Sequence, residues 1–243
     1  MSLTVLMDFD NIDRALIGSG PIAMARAIAL SIPASVTRNY ETITARLYGG
    51  WRSNGLLTNA AQRLIPNIRS DSPSSLAVAG AEDRTSVRLN VELAERPLGS
   101  TRMLTETFVK DRGLRNFRSR THPWNRCECQ SDCGMKSFAG LNHKGNCPKL
   151  DCSVSLGDVL VRDEQKMVDT MMVADLAYIS LVERAKNVVV VSSDTDMWPG
   201  VMLALRAGCY VLQIHTKAGW RTQTHLINTL DALTARFYEQ TSI

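Results

Sequence analysis

Residues 187–214 read NVVVVSSDTDMWPGVMLALRAGCYVLQI, and the order of elements within them decides the class of fold. The run NVVVVS at 187–192 is short, β-branched and apolar on both faces, as a fully buried strand requires. A helix over 198–207 ends at Gly208, a residue type suited to the left-handed turn that closes helices, and CYVLQI at 209–214 is the next strand. The same alternation occurs at the amino end, where LTVLMDF at 3–9 and TITARLYGGW at 42–51 are strands on either side of a helix over 21–31. Pro21 suits the first turn of that helix. Strand, helix, strand implies a crossover and therefore parallel pairing.

Working outward, a shorter helix is expected over 56–65, and RSDSPSS at 69–75 is loop by composition. Val87, Leu89, Val91 and Leu93 alternate as in a half-buried strand over 86–93, with 102–109 as its partner after a turn at Pro97 and Gly99. A long helix is expected over 163–186 and a terminal one over 224–238. Periodicity is lost from 111 to 155. The expectation is one α/β domain, 1–243, interrupted by an insertion at 110–155.

The 243 residues are 44% hydrophobic and 21% charged, which excludes a disordered, collagenous or coiled-coil chain. The most apolar stretch, 21–32, is too short to cross a bilayer and carries Arg26, so no membrane partner is expected. MSLTVLMDFDN lacks the basic n-region of a secretion signal, and the expected location is cytoplasmic.

The insertion is basic and cysteine-rich. Residues 110–149 hold nine basic side chains against three acids, a net +6 in a chain whose total is +4. Arg112, Arg115, Arg118, Arg120, Arg126 and Lys136 make a candidate surface for a polyanion, with Phe117 and Trp124 among them as stacking or core residues. A solvated charged loop would show the same composition. Cys127, Cys129, Cys133, Cys147 and Cys152 fall within 26 residues, with His143 inside the cluster. In a reducing compartment such clustering points to structural Zn²⁺, which takes four ligands from this pool; free thiols or a disulfide are the other outcomes.

Parallel sheets place their sites at the carboxyl ends of strands. There this chain puts Asp8 and Asp10 after its first strand, and Asp194 and Asp196 after the valine strand. The long helix adds Lys166 and Asp169 on one face, while Asp175 lies about 120° round from Asp169 at about 100° per residue. Two unit charges about 4 Å apart repel by roughly 4 kcal/mol at an effective dielectric near 20. A divalent cation removes that penalty, and oxygen-only ligands select Mg²⁺ or Mn²⁺. Acids at strand ends also serve as helix caps, with no ion involved.

MDFDNI at 7–12, KMVDTMMVAD at 166–175 and VVVVSSDTDM at 188–197 together resemble the three signature blocks of the NYN-domain family, PIN-like metal-dependent ribonucleases. The family's Asp and Asn three residues on match Asp8 and Asn11. Its helix pattern matches Lys166, Asp169 and Asp175, and its strand-end pattern matches Ser193, Asp194 and Asp196. The resemblance spans 2–66 and 160–215; the middle of the chain does not match, and Met167 replaces a small residue. It implies a PIN-like three-layer fold with a central, mostly parallel sheet. It also implies hydrolysis of phosphodiesters, RNA favoured over DNA, with Mg²⁺ or Mn²⁺ held by Asp8, Asp169, Asp194 and Asp196. Asn11 and Ser193 would orient ligands or a phosphate, and Lys166 would offset the acids or meet the phosphate.

Two other functions fit parts of the pattern. DFDNI also resembles the opening of haloacid dehalogenase-like phosphatases, in which Asp8 would be a nucleophile, but the strand-end Ser or Thr before the Lys of that fold has no clear counterpart. A zinc-stabilised RNA-binding module with an inert acidic centre is the third reading.

Overall fold

The computed structural model describes residues 1–78, 85–111, 152–155, 158, 162–165 and 167–241. The chain separates into two compact units, Met1–Phe108 with Gln165–Ile243, and Val109–Glu164. The first is an α/β unit whose seven-stranded sheet is parallel except at one edge, with helices on both faces. Among the described residues no helix is long and apolar enough to cross a membrane.

β1 (Ser2–Asp8) lies in the middle of this sheet. On one side it pairs in parallel with β2 (Thr42–Tyr48), then come β6 (Thr85–Leu93) and the antiparallel edge strand β5 (Ser74–Val78). On the other side lie β9 (Asn187–Val191), β10 (Tyr210–Ile214) and β11 (Phe237–Gln240), all parallel. The chain thus winds outward in both directions from β1 and β9. In such sheets the connections leaving two neighbouring strands depart to opposite faces and open a crevice at the carboxyl ends.

Each face is covered by what its sequence period allows. α2 (Pro21–Ser31) buries Met24, Ala25, Ile28 and Ala29, one helical stripe, against the face formed by Leu3, Val5, Met7, Ile43 and Leu89. α4 (Asn59–Asp71) joins the same layer through Leu64, Ile65 and Ile68. The opposite face carries α5 (Val168–Ala177) and α6 (Trp198–Arg206), packed over Leu6, Val188, Val190 and Val211. Gly200 permits the close approach of these two helices, since a Cβ there would meet Leu176 Cδ1 at 2.9 Å.

Several boundaries depart from the sequence expectations. The helix expected over 56–65 runs from 59 to 71, through Pro66 and into the stretch expected as loop, while Leu56–Leu57 and Arg52–Ser53 form a small hairpin around Asn54 and Gly55. Thr58 sets the helix start by accepting a hydrogen bond from the Ala61 N–H at 3.4 Å. Residues 102–109 do not pair with β6, whose neighbours are β2 and β5; only β7 (Phe108–Asp111) is extended, and it pairs with β8 (Arg162–Gln165). The expected helix over 163–186 therefore begins only at Val168, after Met167 in the left-handed conformation at φ 61°, and ends in a wider turn at 178–182. The terminal helix is also shorter than expected. α7 spans Thr224–Ile227, a tight turn covers Asp231–Arg236, and 237–240 is the edge strand.

The second unit begins and ends on the β7 and β8 ladder, and Ser155 within it donates through its amide and hydroxyl to Asp158. Cys152 is half-buried and free of any disulfide. The other expected ligands Cys127, Cys129, Cys133 and Cys147, with His143, lie outside the described residues, as do Arg112, Arg115, Arg118, Arg120, Arg126 and Lys136.

Candidate metal centre

The crevice between β1 and β9 gathers acids from three elements. Asp8 is the last residue of β1, Asp169 stands in the first turn of α5, and Asp194 follows β9. One carboxylate oxygen from each lies within 4.8 Å of the other two. Asp10 and Asp196 are exposed, and their charges act on Asp169 from the rim. Asp196 is not part of the three-oxygen group; its amide donates to Asp194 Oδ1 at 2.9 Å, so Asp194 caps the turn after β9 as well as facing the crevice.

Asp8 is only 3% exposed, and its orientation is fixed from two sides. Its Oδ2 accepts from Asn11 Nδ2 at 2.5 Å and from the Ser192 hydroxyl at 3.0 Å. Ser192 Oγ in turn accepts from the Asp194 amide at 3.0 Å, so one hydroxyl ties the ends of β1 and β9 together. Burial, with the Asp10 and Asp194 charges, raises the Asp8 carboxyl above its usual range despite these hydrogen bonds. The Asp169 carboxyl is pushed up to about 6, by burial first and then by Asp8, Asp194, Asp196 and Asp10. Crowded oxygen donors that resist ionising together are what a hard divalent cation relieves.

That crowding has a direct consequence. A carboxyl raised from 3.8 to about 6 on folding holds its proton more tightly in the native chain than in the unfolded one. Its contribution to native stability is therefore greatest below the unfolded value and falls as pH rises through the window from about 4 to 6. Thermal melts in chelator should show metal-free protein losing stability across this window. Asp169→Asn should flatten the slope and melt higher than wild type at neutral pH; an unaltered slope would mean that solvent screens the three carboxylates from one another.

Other expected site residues fall elsewhere. Ser193 faces away from the acids, with its Oγ 2.8 Å from His215 Nδ1. His215, 1% exposed, places Nε2 at 2.9 Å from Glu239 Oε1. Burial would raise the Glu239 carboxyl, yet hydrogen bonds from the Thr222 hydroxyl and amide and from His215 hold it below its ordinary value. A carboxylate at Nε2 calls for a proton on that nitrogen. Lys166 lies outside the described residues.

Asp175 is fully buried and belongs to another network, as its angular offset from Asp169 implies. It accepts from the Tyr48 hydroxyl, from Arg46 Nε at 3.1 Å and from the Leu98 amide at 2.7 Å. Arg46 completes its donors on Glu92 and the Arg96 carbonyl. Ser192 and Arg46 carry no signal in the sequence, and His215 has no partner pattern there. A serine two residues before a strand-end acid offers no cue as to which face it takes, and Arg46 is the one charged residue of β2.

Comparison with known proteins leaves the geometry to stand alone: no family model matches the chain, and no curated protein or solved structure matches it.

Proposed function

We propose that the chain is a metal-dependent nuclease, an endoribonuclease by preference, of the NYN and PIN-like kind that its three acidic blocks resemble. The observation that carries this reading is the convergence of Asp8, Asp169 and Asp194, from three separate elements, to within 4.8 Å at the carboxyl end of the sheet. The donor set is all oxygen and fits Mg²⁺ or Mn²⁺. When bound, such an ion supplies Lewis acidity toward water and phosphoryl oxygens.

The protein's own residues do the rest. Asn11 and Ser192 hold the Asp8 carboxylate in one orientation, and Asp194 keeps its place through the turn it caps. Asp196, at the rim, adds charge and stands close enough in sequence to join the ligand set once an ion is present. The basic insertion would hold the phosphate backbone, with the contacts weakening as salt rises.

Metal-stripped protein incubated with labelled single-stranded RNA and DNA, with and without added Mn²⁺, tests the assignment. Internal cleavage only with Mn²⁺, and faster on RNA, is expected; intact substrates at every metal concentration would overturn it. For the cysteine pool we propose a structural Zn²⁺ held by four of the five cysteines and His143. Elemental analysis of freshly made, reduced protein should then give about one zinc per chain. A value near zero would refute that second metal.

A further inference from the structure

The loop after β10 reads TKAGWRTQ at 216–223, with Lys217 and Arg221 and no acid. Trp220 stands 46% exposed on it. A single exposed aromatic is ordinary on a protein surface. What sets this one apart is how firmly it is held and where.

Both ends of the loop are pinned. At the first, Thr216 Oγ1 accepts from the Asp13 amide at 2.8 Å and donates to the Asn11 carbonyl at 3.3 Å; Asn11 is the residue that grips Asp8. At the other, the Thr222 amide donates to Glu239 Oε1 at 2.6 Å, and Thr222 Oγ1 lies 3.3 Å from His215 Nε2. The Ser193, His215 and Glu239 chain is thereby the footing of the loop. Between the pins the backbone turns tightly, with the Trp220 amide on the Lys217 carbonyl at 3.2 Å and Gly219 at φ 78°, a conformation in which a side chain would be strained. The Lys217 ammonium sits 5.0 Å from the centre of the Trp220 ring.

We propose that residues 216–222 form a binding platform for single-stranded nucleic acid, Trp220 stacking on an unpaired base while Lys217 and Arg221 meet the flanking phosphates. The proposal rests on the nuclease reading for its choice of ligand. An indole ring offers any base a π-face without regard to sequence. The short, doubly anchored loop also leaves little freedom to be lost on binding. Its first anchor, Thr216, bonds to Asn11, the residue that holds Asp8, so the loop is tied to the strand end that carries the acidic centre.

The test uses full-length Asp194→Asn protein in chelator, so that affinity is read without cleavage, and the anisotropy of short fluorescein-labelled single-stranded RNA and DNA. Adding Trp220→Ala should weaken binding roughly 10-fold, and Trp220→Tyr should recover most of the loss. Arg221→Ala should lower the log-log salt slope by about 0.7. Melting temperatures of all variants should match the parent, as the side chains are exposed. Strand affinity that is unchanged by Trp220→Ala, or equal for duplex, overturns the platform even if wild type cleaves RNA. Trp220-dependent binding without Mn²⁺-dependent cleavage in wild type upholds the platform and removes the nuclease assignment.

Discussion

Asp194→Asn should lower Mn²⁺-dependent RNA cleavage by roughly a thousandfold or more, the effect of losing about 4 kcal/mol of charge stabilisation in the transition state. Asparagine keeps an oxygen for the Asp196 amide, so the turn after β9 survives, and Ser192 still bridges the Asp194 amide to Asp8. What is lost is one negative charge facing Asp8 and Asp169. The folded protein should gain from this when no metal is bound, because both remaining carboxyls are raised in part by Asp194. Activity and metal-free melting temperature should therefore move in opposite directions. Single-turnover rates across a Mn²⁺ titration, beside melts in chelator, check both, and undiminished cleavage would remove Asp194 from the chemistry. Asp8→Asn is a poorer probe, since its amide nitrogen would risk facing the donors of Asn11 and Ser192.

The second large effect lies away from the crevice. Arg46→Met should destabilise the protein by about 3–5 kcal/mol, because it leaves Asp175 buried without its counter-charge. Every donor of this guanidinium group that meets Asp175, Tyr48, Glu92 or the Arg96 carbonyl is lost at once. Burial and the Asp175 charge push the Tyr48 hydroxyl well above its normal range, so the phenol stays neutral and keeps its hydrogen bond to Asp175 but brings no positive charge. Asp175→Asn should be destabilising too, for its amide would meet the donors of Tyr48 and Arg46. Below its melting temperature the Asp175→Asn protein should keep its Mn²⁺ dependence. Denaturant midpoints and cleavage assays together separate the two sets of acids; a stable but inactive Asp175→Asn protein would join Asp175 to the metal centre instead.

The acids of the crevice are legible in the sequence because strand ends are legible, and a parallel sheet assigns those ends a role before any contact is known. Asp8 and Asp194 follow from their strands, and Asp169 from the helix pattern. The hydroxyl that joins them is not legible: Ser192 and Ser193 are adjacent, and one step along an extended chain exchanges the faces of a sheet. Elements decided by long-range pairing are less legible. Residues 102–109 carry strand-forming residues, but β5 holds the edge of β6 that they would need. The start of α5 is set by Met167 in a left-handed conformation, which a non-glycine residue does not advertise. Trp220 belongs to no motif, and only the pins at Thr216 and Thr222 distinguish its loop from an ordinary turn.

The central position of β1 bears on how the chain comes to be made. Its partner β2 is synthesised promptly, but β9 emerges roughly 180 residues after β1 is complete. At a translation rate of about 5–20 residues per second, that is a delay of roughly 10–40 seconds. Throughout it the nascent half-sheet exposes an unpaired, strongly apolar strand edge, the kind that recruits other chains. The acidic centre does not exist during that interval either, since Asp169 and Asp194 are made more than 150 residues after Asp8. A ribosome making this protein therefore carries a growing chain that needs shelter from aggregation and whose acidic centre is not yet assembled.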